Sequence, residues 1–411
     1  MPQTVLCADI GTTSLKAALI TSDGTTVATA RRQFFLCYTD HAAKEWLPAL
    51  KEAAEQIHSQ PGVPEPDAVC ISGNGPTLVS FGGETLLWNE NAPTVNTASL
   101  FIPRILAFKN KYPQVWNKTP FLLSGPEFLI WQLTDRTCTI LPEKRFAQAY
   151  WNNQELAKAG LDKTEVSKLP DFLYPGQCAG TITRTSAALI CTGTTGIKEG
   201  TPVYCGAPDF VSALVGTATL RPGSICDRAG SSEGINMCTD VPLKDSGIRT
   251  LPSVTGGLWN SSVLIPESGS RFEAFRQKIE RETGHPVKLS ELTQMLINED
   301  GTKPSLEQGK YLLIQTALQA KDALEKLRTA AKGTLTVPAD EMTVTGGQAK
   351  NAAWLQMKAD ITGMKINVPE CADAELTGDA VFAFTGMNLF VSIEEAVAAL
   401  CRIRKTYTPS E

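Results

Sequence analysis

The stretch Ala8–Ile20, ADIGTTSLKAALI, gathers Asp9, Gly11, Thr12, Thr13, Ser14 and Lys16 around one turn. An apolar strand that ends on a carboxylate and turns through glycine and hydroxyls can hold a divalent cation and polyphosphate oxygens. Turn N–H groups point inward and the hydroxyls add donors. The same pattern also makes an ordinary hairpin, where Thr and Ser are common. Closing an apolar run on an unpaired carboxylate is costly without a cation or donors, which favours a site. A fainter echo follows: Ser224-Ile225-Cys226-Asp227, then Gly230-Ser231-Ser232, then Gly234-Ile235-Asn236-Met237. Two such units facing each other would form a cleft with a phosphate-gripping turn on each wall.

Three further segments can carry chemistry. In Gly206-Ala207-Pro208-Asp209-Phe210, Asp209 stands at a strand-to-helix junction. It is either a helix-start acid favoured by the dipole or a base for a substrate hydroxyl. Phosphoryl transfer depends on positioning more than on base strength, so an ordinary carboxylate suffices. Thr345-Gly346-Gly347-Gln348-Ala349-Lys350-Asn351 ends a strand and opens a helix. Its double glycine makes either a tight loop or an approach for a flat or anionic ligand. The Glu375-Leu376-Thr377-Gly378 segment could form the facing wall. Trp88-Asn89-Glu90 brings an aromatic face beside an amide and an acid, which suits a polyol or a buried Trp with a capped turn.

Two other patterns lead elsewhere. No G-x-x-x-x-G-K-[ST] occurs, so an ATP site here is not a P-loop. Gly230-Ser231-Ser232-Glu233-Gly234 fits G-x-S-x-G, with Asp240, Asp245 and His285 downstream, and would make Ser232 a hydrolase nucleophile. That elbow should join a strand to a helix, whereas Gly234–Cys238 reads as another strand. Gly73-Asn74-Gly75 fails the dinucleotide fingerprint because Leu78 stands at the third glycine.

The elements must position these groups. Residues 4–31 read as a three-stranded meander, Thr4–Asp9, Leu15–Thr21 and Thr26–Arg32, turning at Ser22-Asp23-Gly24. Trp46, Leu50, Ala53, Ala54 and Ile57 recur at helical spacing within 43–59. Strands follow at 67–72, 202–205, 341–345 and 365–368. Helices follow at 99–111, 125–133, 209–216, 270–283, 288–298, 305–332, 349–362, 374–387 and 392–402. Alternating strands and helices predict an α/β protein with two similar halves. At 411 residues two domains are expected, divided at Leu220-Arg221-Pro222-Gly223 into 1–221 and 222–411.

Composition narrows the partners. A net charge of −5 argues against nucleic acid or an anionic membrane. The densest basic cluster, Arg402-Ile403-Arg404-Lys405, reads as a solvated helix end. Eleven cysteines without a C-x-x-C pair, and three histidines, speak against a zinc site and for reduced, structural thiols. With no signal-peptide pattern and no membrane-length apolar run, the expected compartment is the cytoplasm.

Set in order, these pieces resemble the FGGY family of carbohydrate kinases, within the actin-like and hexokinase-like ATPases. Ala8–Ile20 is similar to the family's first phosphate motif, and Asp227–Gly234 to the second. Ile71–Gly75 and Leu86–Glu90 are similar to the segments around the sugar pocket. Leu123–Leu129 with Leu133-Thr134 is similar to the "pkDyL…LTG" stretch, Gly200–Gly216 to the segment bearing the catalytic aspartate, and Val344–Asp360 to the adenosine motif.

The resemblance implies two ribonuclease H-like domains related by internal duplication, with an interdomain cleft. By it Asp209 is the general base, Asp9 holds Mg²⁺ through water, and Gly11, Thr12, Thr13 and Ser14 cradle the phosphates with Lys16 adding positive potential. Gly230, Ser231 and Ser232 meet them from the other wall. Gly346, Gly347, Lys350 and Asn351 surround the nucleotide, with adenine toward Glu375 and Gly378. Asn74, Gly75, Trp88, Asn89, Glu90 and Phe210, with Asp209, line the acceptor pocket. The family's Gln after Ser-Gly is Asn74 here, and its W-x-D-x-R becomes Trp88-Asn89-Glu90-Asn91-Ala92. Its Gly-Thr-Ser is Gly230-Ser231-Ser232, behind an unusual Asp227-Arg228. The phosphotransfer parts survive and the sugar-reading parts have drifted.

The expected activity is transfer of the ATP γ-phosphate to a hydroxyl of a small sugar, ketose or polyol, xylulose being a guess from overall likeness. The expected cofactors are ATP and Mg²⁺, with a homodimer as the oligomeric form to test. A non-catalytic nucleotide- or sugar-binding regulator on the same fold is the alternative, and the Ser232 hydrolase a distant one.

Overall fold

The computed structural model describes residues 2–190, 195–298, 304–333 and 340–410. The chain forms two compact units, Met1–Gly216 with Glu375–Leu400, and Thr217–Ala374 with Cys401–Glu411.

In the first unit β1 (Thr4–Ile10), β2 (Ser14–Thr21) and β3 (Thr26–Gln33) form the meander, followed by β4 (Ala68–Gly73), β5 (Cys178–Thr181) and β6 (Pro202–Pro208). Their sheet order is β5-β6-β4-β1-β2-β3. β1, β4 and β6 run parallel; β2, β3 and β5 pair antiparallel. Residues of β1, β2 and β4 are buried on both faces, as expected where helices cover both sides of a sheet. Helix α1 (Trp46–His58) packs Trp46, Leu50, Ala53, Ala54 and Ile57 against Leu6, Ala8 and Ile10, and a 3₁₀ turn at Ala42–Glu45 leads into it. Helices α2 (Ile102–Lys111), α3 (Gly125–Thr134) and α4 (Asp209–Gly216) follow.

The second unit repeats this plan. Strands β7 (Ile225–Ala229), β8 (Glu233–Thr239), β9 (Arg249–Pro252), β10 (Trp259–Ile265), β11 (Glu341–Thr345), β12 (Lys365–Pro369) and β13 (Ile403–Tyr407) form a sheet of order β9-β10-β8-β7-β11-β12-β13. Matching β7, β8, β10, β11, β12 and β13 to β1, β2, β3, β4, β6 and β5 reproduces every parallel or antiparallel pairing. β9 is an added edge. Helices α5 (Ser268–Thr283), α6 (Leu289–Asn298), α7 (Pro304–Ala330) and α8 (Ala352–Thr362) belong to this unit. Phe272, Phe275, Ile279, Leu292, Leu296, Leu313, Ala317 and Trp354 join them in one apolar cluster.

Two sequence expectations are corrected. The basic Arg402–Lys405 segment is not a helix end: α10 (Ile393–Leu400) stops before it, and Ile403–Tyr407 pairs antiparallel with β12 as an exposed edge strand. A linear division at 221/222 would also put α9 (Ala374–Gly386) and α10 in the second half. Residues 375–400 instead pack in the first unit. Close backbone approaches account for this. A Cβ on Gly386 would stand 1.9 Å from the Gly176 carbonyl oxygen, and one on Gly24 about 3.1 Å from Leu400 backbone. Every described cysteine is a free thiol. Among the described residues no helix is long and apolar enough to cross a membrane.

Candidate active site

The first unit gathers its polar groups at the C-terminal ends of its parallel strands, the edge where open α/β sheets bind ligands. Asp9 stands one residue before the end of β1, facing Lys16 across the β1–β2 ladder and Ser72 across β1–β4. Opposed residues project to the same face, and Lys16 Nζ lies 3.3 Å from Asp9 Oδ2. Asp9 is 2% exposed, and its Oδ1 accepts no hydrogen bond. Burial pushes its carboxyl up to about 7; Lys16 pulls against this, while Glu375 and Asp209 add to the rise.

Asp209 follows β6, whose Pro208 is level with Gly73 of β4. It is half-buried, opens α4, and accepts a hydrogen bond from the Phe210 N–H at 2.6 Å. Phe210 contacts the Phe146 ring, with centroids 6.4 Å apart. Asp9 and Asp209 therefore belong to one polar edge.

The Gly11–Ser14 turn is closed by the Gly11 N–H donating to the Ser14 carbonyl at 3.0 Å. Ser14 is buried and its Oγ accepts from Arg31 Nε, so its hydroxyl serves the sheet. Thr12 and Thr13 remain partly exposed, and Thr12 Oγ1 accepts from Trp88 Nε1 at 3.0 Å.

The expected acceptor residues lie beside this turn. The Asn74 N–H donates to the Ile10 carbonyl, and Asn74 Oδ1 accepts from Thr77 Oγ1, which in turn accepts from the Trp88 N–H. Gly75 is exposed, and a Cβ there would point into open space. Trp88 and Asn89 are exposed, but Glu90 is occupied: it accepts from the Leu87 N–H and pairs with Lys111 at 2.6 Å. An arginine that the sequence did not single out holds the backbone of this segment from outside it. Arg104 of α2 donates to the carbonyls of Leu87, Trp88 and Glu90. Glu127, in the "pkDyL"-like stretch, is buried and accepts from Ser124 Oγ and the Ile140 N–H.

Glu375 and Gly378, expected near adenine, lie on α9 within the first unit. Glu375 Oε2 is 3.8 Å from Lys16 Nζ. Gly378 has a packing reason, since a Cβ there would fall 2.0 Å from the Ser212 carbonyl oxygen.

In the second unit, Gly230, Ser231 and Ser232 form an exposed turn between β7 and β8, closed by the Gly230 N–H donating to the Ser232 carbonyl. The start of α5 seats on it: the Ser270 N–H donates to the Ser231 carbonyl at 3.0 Å. A turn between antiparallel strands is not a nucleophile elbow, so the Ser232 hydrolase reading lacks its strand–helix frame. Gly346 has φ +94°, and a Cβ would stand 2.7 Å from the Ala229 carbonyl oxygen, so only glycine fits. Gly347 is exposed. Lys350 pairs with Asp373 at 2.6 Å, and Asn351 caps α8 by accepting from the Trp354 N–H.

The echo of Asp9 has a different fate. Ile10 pairs with Leu15 around residues 11–14, whereas Ala229 pairs with Glu233 around 230–232, a turn one residue shorter. Counted from the strand end, Arg228 matches Asp9 and Asp227 matches Ala8. One step along a strand reverses the face, so Asp227 points into the core beneath α8. There Lys358 Nζ bonds both Asp227 and Glu233, and all three are fully buried. Glu233 also accepts from Gln348 Nε2, whose Oε1 accepts from Trp354 Nε1 at 2.6 Å.

Duplicated sheets of this kind define the two-domain actin-like ATPase fold. The ligand-bound xylulose kinase of Lactobacillus acidophilus shares it, with a TM-score of 0.76 at 16% identity over 99% of this chain and 94% of that one. Residues 312–387 match the C-terminal domain of the FGGY family of carbohydrate kinases, and the chain is homologous to xylulose and autoinducer-2 kinases. It is 21% identical to the xylulose kinase of Bacillus subtilis over 98% of this chain and 92% of that one. It is 23% identical to the autoinducer-2 kinase of Escherichia coli K12 over 58% of this chain and 52% of that one.

Proposed function

We propose that this chain is an ATP-dependent carbohydrate kinase that transfers the γ-phosphate to a hydroxyl of a small sugar or polyol. The observation that carries the reading is the shared edge of Asp9 and Asp209, one with a buried, unpaired oxygen and the other half-exposed at a helix start. Asp209 would accept the proton of the attacking hydroxyl. Asp9 would hold a single cation through its buried Oδ1, which has no hydrogen-bond partner; among the described residues no cluster of three or more His, Cys, Asp or Glu side chains forms an all-protein metal site. Mg²⁺ fits such a site because it keeps several waters and needs only one or two protein carboxylates beside phosphate oxygens. It would neutralise charge on the phosphates when bound.

Thr12 and Thr13 would donate to phosphate oxygens, with Lys16 as a nearby positive charge. Gly230, Ser231, Ser232, Gly346 and Gly347 are assigned to the nucleotide. Lys350 and Asn351 are assigned to support it, since both side chains already have partners. Asn74, Trp88 and Asn89 are assigned to the acceptor, Trp88 by stacking on C–H faces. Xylulose is the first acceptor to try, on the strength of the match to the Bacillus subtilis xylulose kinase along most of both chains.

The test is an ADP-release assay over ketoses, polyols and sugar acids, with Asp209→Ala as control. Release stimulated by an acceptor, and reduced at least about 10²-fold in the variant, supports the reading. ATP binding without stimulation by any acceptor would favour a non-catalytic regulator on the same fold.

A further inference from the structure

Helix α9 carries two acids one turn apart on the same face, Glu375 and Asp379. Glu375 meets Lys16. Asp379 goes deeper and is fully buried, its Oδ2 accepting from Ser72 Oγ at 2.7 Å and its Oδ1 from Ser212 Oγ at 2.9 Å. Ser72 is the residue of β4 level with Asp9. Ser212 lies on α4, three residues after Asp209. A single carboxyl thus joins the strand end beside the proposed cation ligand to the helix turn that carries the proposed base.

Glycines on both sides make room for this. A Cβ on Gly206 would stand 2.8 Å from Asp379 Oδ1 and 2.5 Å from the Ile71 carbonyl oxygen. One on Gly378 would stand 2.0 Å from the Ser212 carbonyl oxygen. Burial raises the Asp379 carboxyl well above the usual range, with the two serine hydroxyls only partly offsetting it. An apolar residue would avoid that cost. Both oxygens are nevertheless satisfied, and both partners sit on the elements that carry the reactive acids.

We propose that Asp379 is a positioning residue for phosphoryl transfer, fixing the separation of Asp9 and Asp209 by tying the end of β4 to the first turn of α4. The proposal rests on the kinase reading for its chemistry, because transfer of this kind depends on alignment. The geometry does not depend on the charge state. A protonated carboxyl donates to one serine and accepts from the other, and an Asn side chain offers the same pair.

Asp379→Asn is expected to keep kcat within about 3-fold, since it can remake both bonds. Asp379→Ala is expected to lower kcat about 10-fold or more, with KM for ATP and acceptor within about 2-fold. Hydrogen exchange supplies a readout that needs no activity. Asp379→Ala should speed exchange in peptides covering 70–74 and 209–213, leave 272–280 of the second unit unchanged, and be matched by Ser72→Ala and Ser212→Ala if it does not fold. Wild-type exchange at both segments, a uniform rise throughout the first unit, or an Asn variant as impaired as Ala would overturn the proposal. If the wild-type chain phosphorylates no acceptor, the kinase reading fails. Exchange at 70–74 and 209–213 then still decides whether Asp379 holds the two segments.

Discussion

The indole N–H of Trp88 donates to the hydroxyl of Thr12 at 3.0 Å, so the loop assigned to the acceptor touches the turn assigned to the phosphates. The two segments lie far apart in sequence, and Arg104 holds the Trp88 backbone from a third. Trp88→Phe keeps an aromatic face, though a smaller one, and loses this bond, which costs about 1 kcal/mol or about 5-fold in kcat/KM. The loss should appear with either substrate varied in steady-state kinetics. An effect confined to the acceptor would mean that the contact does not serve the phosphate turn.

Asp209→Asn should separate binding from chemistry. It preserves size and the contact from the Phe210 N–H, but it cannot take a proton. We expect kcat to fall at least about 10²-fold, with nucleotide affinity by calorimetry nearly unchanged.

Lys358 holds two buried carboxylates in the second unit. Lys358→Met leaves Asp227 and Glu233 buried together without a cation, and should cost about 3–5 kcal/mol in urea unfolding. Combining it with Asp227→Asn and Glu233→Gln should recover most of that loss, because the uncompensated charge is gone.

The Asp227 carboxyl is held up to about 7, chiefly by burial, with Glu233 adding and Lys358 opposing. Its unfolded value is near 4, so folding takes up a proton between the two values. This contribution to stability is complete below about pH 4 and is lost as pH rises through about 7. The wild-type unfolding free energy should therefore fall over that window, by up to about 1.4 kcal/mol per pH unit from this group, and Tm with it. Asp227→Asn should flatten that share of the profile; parallel wild-type and variant curves would remove Asp227 from the account.

The sequence made the frame of the candidate site legible where local pattern and backbone geometry coincide. Ala8–Ile20 announces a strand, a turn and a strand because its apolar runs are interrupted by Gly11, Thr12 and Thr13. The Gly346-Gly347 pair likewise marks the strand end where β11 passes close to Ala229. What stayed hidden depends on partners distant in the chain. Asp379 and Ser72 are 307 residues apart, and nothing in Gly378-Asp379-Ala380 signals a serine on another strand. Arg402–Lys405 reads as a helix end because an exposed edge strand needs no apolar alternation; its pairing with β12 supplies the reason for its shape.

The shortened Gly230–Ser232 turn has a stoichiometric consequence. Duplication of the sheet would by itself suggest two equivalent cation-binding edges, one per copy. With a turn one residue shorter the second acid, Asp227, faces inward, where it shares Lys358 with Glu233. With Asp9 as the proposed ligand, titration is expected to find one divalent ion per chain; the two units match in strand pairing but not in the placement of their acids.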